Sequence, residues 1–245
     1  MLTLITVSTD NAKLEKMACA LRFNAAKNLN CPLEWIIVSE SAKPSHLFSV
    51  TENRFPIIHL SKVPDSTAAA INLGLQHASH NYIVYLQEDS VPCNLWLESL
   101  WPTVATGIAA FKCNALTRSM MVTKLGEVKY GSGPLTRKAA SSTSISPACY
   151  GAPLHTFLEC DGYDISYDET GDQIHVDICQ RMSRLGLPFE TCDMTWVITT
   201  VSPPVASREN KKRYNTMMKD RQRTTPSVPN NVSGRRETVQ AGHLA

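Results

Sequence analysis

Tyr82-Ile83-Val84-Tyr85-Leu86-Gln87-Glu88-Asp89-Ser90-Val91-Pro92 is the stretch on which the fold turns. Its first five residues are apolar or aromatic and rich in β-formers, the pattern of a strand covered on both faces. Strands of that kind belong to parallel sheets, where ligands bind beyond the carboxyl ends. Glu88 and Asp89 stand at such an end, and their oxygens suit a hard divalent cation carrying a phosphorylated substrate. The plainer reading makes them solvated turn residues ahead of Pro92.

Working outward, Leu2 to Val7 reads as a first strand, followed by the polar turn Ser8-Thr9-Asp10-Asn11, which can cap a helix. Leu14, Met17, Ala18, Leu21 and Ala25 recur at helical spacing over roughly residues 11–28. Glu34 to Val38 and Ile57 to Leu60 are further strands. Asp65 or Ser66 caps a helix running from Ala68 to Ala78. Gly74 inside that helix costs about 1 kcal/mol against Ala, so it marks a close approach of backbone to a neighbour. Leu95 to Leu100 reads as a helical turn and Ile108 to Phe111 as a fifth strand. Strands alternating with helices predict an α/β fold with an open, mostly parallel central sheet flanked by helices.

Beyond residue 111 the pattern changes. Met120–Lys124 and Val128–Tyr130 read as a hairpin, and Gly131–Thr143 as a mobile loop. Cys149–Ala152 leads into a short helix, Leu154–Glu159. Asp172–Leu185 carries Ile174, Ile178, Met182 and Leu185 at helical spacing and ends at Gly186. Thr195–Thr200 is a last strand. After Pro203-Pro204 the apolar periodicity stops, which predicts a disordered tail.

The chain has 245 residues, 43% hydrophobic and 19% charged, as in ordinary globular proteins. Its net charge of +2 hides an asymmetry. Residues 206–245 hold nine Lys/Arg and three acids, a net +6, which leaves −4 for residues 1–205. The organisation expected is therefore one domain over 1–205 and a basic tail over 206–245. The eight cysteines are dispersed with no Cys-x-x-Cys pair, which argues against a zinc ribbon or redox motif. Reduced thiols and an opening strand in place of a basic secretory leader predict a cytoplasmic protein. The tail adds the prospect of contact with an anionic membrane surface. No basic, aromatic-studded motif for nucleic acid stands in the body.

Three landmarks in order carry a resemblance. They are the strand–helix–strand entrance over 2–40; the helix bearing Asn72-Leu73-Gly74-Leu75 that feeds Tyr82–Asp89; and Cys160-Asp161-Gly162-Tyr163-Asp164 ahead of Asp177-Ile178-Cys179-Gln180-Arg181. Together they resemble inverting glycosyltransferases of the GT-A fold, most like glycosyltransferase family 2. The likeness covers about residues 2–200. It implies a single GT-A-like domain with a small hairpin and loop region on the acceptor side.

What the resemblance implies for the site follows residue by residue. Asp89 falls on the last carboxylate of the family's metal motif, usually Asp-x-Asp, and would bind Mn²⁺ or Mg²⁺; Gln87 stands in place of the first Asp, and Glu88 lies between. Thr6 and Ser8 match the first nucleotide loop, and Glu40 the base-contacting loop. Asn72 matches an Asn-x-Gly-Leu element on the nucleotide-sugar side, where Ile71 replaces an Arg. Asp161, Gly162 and Asp164 match a turn beside the acceptor, although Asp161 and Asp164 could equally just form a turn. His175 falls on the position of the catalytic base and metal ligand, with Asp172 as the rival base.

The function implied is transfer of a hexose or deoxyhexose from a nucleotide-diphosphate sugar to the hydroxyl of a glycan, glycolipid or protein. The alternative is a non-catalytic module of the same fold that binds a nucleotide or glycan. A nucleotidyltransferase is a third reading, which the absence of a glycine-rich phosphate loop disfavours.

Overall fold

The computed structural model describes residues 1–27, 33–40, 54–61, 66–107, 110–117, 120–122, 128–130, 136–138, 148–166, 173–199, 212 and 215–216. For the strand residues between 110 and 138, and for 190–196, only the backbone is described.

The apolar runs become strands β1 (Leu2–Val7), β2 (Leu33–Val38), β3 (Ile57–Leu60) and β4 (Tyr82–Leu86). Every residue of β2 and β4 is buried, as expected of strands covered on both faces. Helix α1 (Asn11–Lys27) follows β1, and α2 (Thr67–His77) follows β3. Asp10 Oδ1 accepts from the Ala12 N–H at the start of α1, and Ser66 Oγ accepts from the Ala69 N–H as the cap of α2. The remaining elements are β5 (Ser90–Pro92), α3 (Trp96–Thr106), β6 (Ala110–Thr117), β7 (Met120–Val122), β8 (Val128–Tyr130), β9 (Thr136–Lys138), β10 (Cys149–Pro153), α4 (Leu154–Glu159), α5 (Gln173–Arg184) and β11 (Phe189–Thr199).

The central sheet runs β3-β2-β1-β4-β10-β6-β11-β5, with β9 beside β6. Strands β1, β2, β3, β4, β6 and β11 share one direction, while β5, β9 and β10 oppose it. The fold is thus α/β with a mostly parallel sheet. Two apolar layers sandwich it. Helices α1 and α3 cover Leu2, Leu4, Trp35 and Val84 on one face. The other face buries Ile5, Ile36, Tyr85 and Tyr150 beneath α2, α4 and α5. Gly74 meets its expected neighbour, since a Cβ there would stand 2.7 Å from Ile5 Cγ2.

Several expectations need correction. The segment Cys149–Pro153 is a buried strand, inserted antiparallel between β4 and β6. Its Gly and Pro disfavour β structure, and the two neighbouring strands override that preference. The segment after Asp89 is a short strand, β5. Ser90–Pro92 pairs with β11 at the sheet edge, where a proline costs no ladder bond. The helical turn at 95–100 extends to Thr106 through Pro102, carried by buried Trp96, Leu97, Leu100 and Val104. Within the expected mobile loop, Thr136–Lys138 is a strand; the rest of that loop lies outside the described residues. Leu185 falls beyond α5 and is half exposed. In the basic tail the described residues are Lys212, Asn215 and Thr216, which are helical. The other tail residues lie outside the described set.

Candidate active site

The turn between β4 and β5 brings Glu88 and Asp89 to the carboxyl end of the parallel sheet. Its closing bond runs from the Ser90 N–H to the Gln87 carbonyl at 2.9 Å, and the Gln87 N–H donates to Ala148. The two carboxylates differ sharply. Glu88 is locked: Oε2 accepts from Ser8 Oγ at 2.9 Å and from the Thr9 N–H at 3.0 Å, and Oε1 accepts from Lys13 Nζ at 2.6 Å. Burial works to raise its pKa, but the bonds from Lys13, Thr9 and Ser8 outweigh burial and hold it below the usual value. Asp89 is 8% exposed, and its Oδ1 is buried with no hydrogen-bond partner. Burial pushes its carboxyl up, against the charge of Lys13.

The β1 loop is legible in part. Ser8 is buried and ties Glu88 to the Asp10 backbone. Thr6, expected beside a nucleotide, turns inward instead. Its Oγ1 accepts from Trp35 Nε1 at 3.1 Å and donates to Met17 Sδ, because alternation along β1 points residue 6 at α1. Glu40 stands exposed just past β2, and Ser39 is buried behind it.

Helix α5 carries His175 in its first turn. Asp172 lies outside the described residues. His175, expected as base or metal ligand, is 5% exposed and packs among Tyr85, Tyr150 and Tyr163, with its Nδ1 2.8 Å from the Tyr150 hydroxyl. That hydroxyl also bonds the Tyr163 hydroxyl. Burial lowers the His175 pKa to about 3, so its imidazole is neutral at pH 7. This is the environment of a packed histidine, enclosed by tyrosines.

The turn after α4 has backbone φ of +58° at Asp161 and +67° at Gly162. A Cβ at Gly162 would meet Asn72 Oδ1 at 2.6 Å. Asn72 itself, expected on the donor side, grips this turn: Nδ2 donates to the Tyr163 carbonyl and Oδ1 accepts from the Tyr163 N–H, both at 2.8 Å. Asp161 is exposed, and Asp164 Oδ1 accepts from the Ser166 N–H. Arg181 donates to the carbonyls of Cys160 and Gly162 and pairs with the fully buried Asp177 at 2.7 Å.

The fold as a whole is shared with solved structures. GalNAc-T7, crystallised with UDP, GalNAc and Mn²⁺, aligns over 89% of this chain and 48% of its own, with TM-score 0.62 and 13% identity. The mannosyltransferase PcManGT from Pyrobaculum calidifontis, in complex with GDP-Man and Mn²⁺, aligns over 93% of this chain and 65% of its own, with TM-score 0.56 and 11% identity. TarS 1–349 of S. aureus gives 81% and 60%, TM-score 0.53 and 10% identity. The chain has the GT-A fold. It spans about half to two-thirds of the length of these structures. No family profile and no curated protein matches its sequence.

Among the described residues no three His, Cys, Asp or Glu side chains gather as a metal cluster. Glu88 has both oxygens engaged, whereas the orphaned Asp89 Oδ1 is the kind of group a cation satisfies. The residues fit a cation held from the protein by Asp89, with Glu88 acting as a brace.

Sequence reasoning missed Lys13 and the Asn72 grip. Lys13 had a signal: a cation in the first turn of a helix opposes the macrodipole and calls for an acidic partner. The Asn72 contact spans ninety-one positions and carried none. A separate cavity of about 770 Å³ lies at the opposite end of β4, lined by Tyr82, His80, Pro153 and His155. It has no part in this site. No helix among the described residues is long and apolar enough to cross a membrane.

Proposed function

We propose that this chain is an inverting glycosyltransferase, of the family 2 kind, using a nucleotide-diphosphate sugar. The observation that carries the reading is the unpartnered Asp89 Oδ1, buried at the carboxyl end of β4 in a GT-A sheet. The nucleotide complexes of GalNAc-T7 and PcManGT, which share the fold, support the donor class. Asp89 would hold Mn²⁺ or Mg²⁺. When bound, such a cation neutralises charge on the departing diphosphate. Ser8, Glu88 and Lys13 would line the diphosphate, and Glu40 would contact the base.

With His175 buried and neutral, the base is assigned to Asp172. Its carboxylate takes the proton of the acceptor hydroxyl as that oxygen attacks the anomeric carbon. The bond from that carbon to the diphosphate oxygen breaks on the opposite face, which inverts the configuration. The acceptor is a glycan, glycolipid or protein hydroxyl approaching over the 161–164 turn. The protein works in the cytoplasm, with the basic tail drawn to anionic lipid.

A second reading, a nucleotide- or glycan-binding module without turnover, is favoured by the packing of His175 and by Gln87 and Ile71 in place of an Asp and an Arg. One experiment separates them. UDP-, GDP- and dTDP-sugars are incubated with the protein in Mn²⁺, Mg²⁺ or EDTA, and diphosphate release is followed. Metal-dependent release that disappears in Asp89→Ala supports the transferase. Tight binding of one nucleotide with no release, even with p-nitrophenyl glycosides as acceptors, overturns it in favour of the module.

A further inference from the structure

The turn Cys160–Asp164 is held by two side chains far away in sequence. From α2, the Asn72 amide pairs with the Tyr163 backbone through both of its polar atoms, as a neighbouring strand would. From α5, the Arg181 guanidinium closes on the Cys160 and Gly162 carbonyls. Asp177, fully buried, fixes that guanidinium. The turn needs such a frame. Two successive residues have left-handed backbone, and Asp161 lacks the freedom of glycine, so the conformation costs about 1–2 kcal/mol unless its surroundings enforce it. Gly162 has no room for a Cβ because Asn72 is already there. Tyr163 in turn sends its hydroxyl to Tyr150, so the turn is also anchored to β10.

The geometry points to Asn72 and Arg181 as positioning residues that set the acceptor-side wall, residues 161–164, with Asn72 serving the acceptor rather than the nucleotide. This rests on the transferase reading. It deepens that reading by dividing the labour: the Asp89 turn handles the donor, and the Asn72–Arg181 frame handles the acceptor. Substituting Asn72 should therefore disturb transfer more than donor binding.

The test uses the full chain and four variants: Asn72→Ala, Asn72→Asp, Gly162→Ala and the double variant Asn72→Ala with Gly162→Ala. Asn72→Asp keeps the acceptor for the Tyr163 N–H and removes the donor to its carbonyl. UDP and GDP affinities with Mn²⁺ should stay within about twofold of wild type. The ratio of transfer onto p-nitrophenyl glycosides to donor hydrolysis should fall about tenfold or more in Asn72→Ala, chiefly through acceptor KM, with partial recovery in Asn72→Asp. Hydrogen exchange of the Tyr163 amide should quicken in Asn72→Ala. Gly162→Ala should lower Tm by a smaller step in the Asn72→Ala background than in wild type, because the obstructing Oδ1 is gone.

A tenfold loss of nucleotide affinity, with Tyr163 exchange unchanged, would overturn the proposal and make Asn72 a donor contact. Unchanged exchange and additive Tm losses would overturn it even where no donor is turned over. A wild-type protein that releases no diphosphate, but shows the exchange and Tm coupling, would sink the transferase reading and the acceptor role while leaving the frame.

Discussion

Lys13 Nζ lies 2.6 Å from Glu88 Oε1, a contact that joins the first turn of α1 to the carboxylate turn after β4. It binds the two loops that form the mouth of the site, which strand pairing alone leaves free. Lys13→Met should cost about 1 kcal/mol or less, since both side chains are partly exposed and screened. Its clearer effect is on pH dependence. Glu88 is held low by its partners, so its contribution is present above its unfolded pKa and is lost as pH falls. Without Lys13 the Glu88 pKa rises, and the acid loss of Tm should begin at higher pH. Thermal melts of both proteins from roughly pH 3 to 6 will read this; superimposable profiles would contradict it.

Asp89 should behave oppositely. Burial raises its pKa, so the ionised form weighs against the fold, and stability falls as pH rises from the unfolded pKa through the folded one. Asp89→Asn should leave Tm of the metal-free protein unchanged or higher near neutrality, while diphosphate release drops about a hundredfold or more. Melting curves in EDTA, paired with release assays in Mn²⁺, check both halves. A large fall in Tm would mean that Asp89 is structural.

His175 should not titrate between pH 5 and 8. Its folded pKa near 3 lies below the unfolded value, so it contributes stability above about pH 6.5 that is lost as pH falls toward 3. Ring C–H shifts followed by NMR should stay flat across neutrality. A midpoint near 6.5 would return His175 to the candidate bases.

Gly74→Ala tests the closest contact between α2 and the sheet. Alanine gains about 1 kcal/mol of helix propensity, but its Cβ would overlap Ile5 Cγ2, and overpacking costs about 1–3 kcal/mol. The net expectation is a loss of about 1 kcal/mol. In an Ile5→Ala background the same substitution should be neutral or stabilising. Denaturant titration of the four proteins completes the cycle, and additive losses would refute the contact.

Much of this architecture is local. β1, β3 and β4 have the bounds their apolar runs predict, because side-chain burial on a sheet is written at period two or as an unbroken run. Ser66 caps α2 because a serine ahead of an alanine-rich segment can satisfy a free N–H by itself. Glu88 and Asp89 were findable because they end a buried strand.

The rest depends on what folds against what. Cys149–Pro153 is a strand only because β4 and β6 leave a slot between them. Thr6 faces Trp35 rather than the site, and His175 is neutral because three tyrosines enclose it. The local sequence pattern determined an α/β sheet with carboxylates at its carboxyl end; tertiary packing decided which carboxylate is locked and which keeps an unbonded oxygen. Burial and pKa belong to the assembled neighbourhood, where partners from positions 8, 9 and 13 meet Glu88 and none meets Asp89 Oδ1.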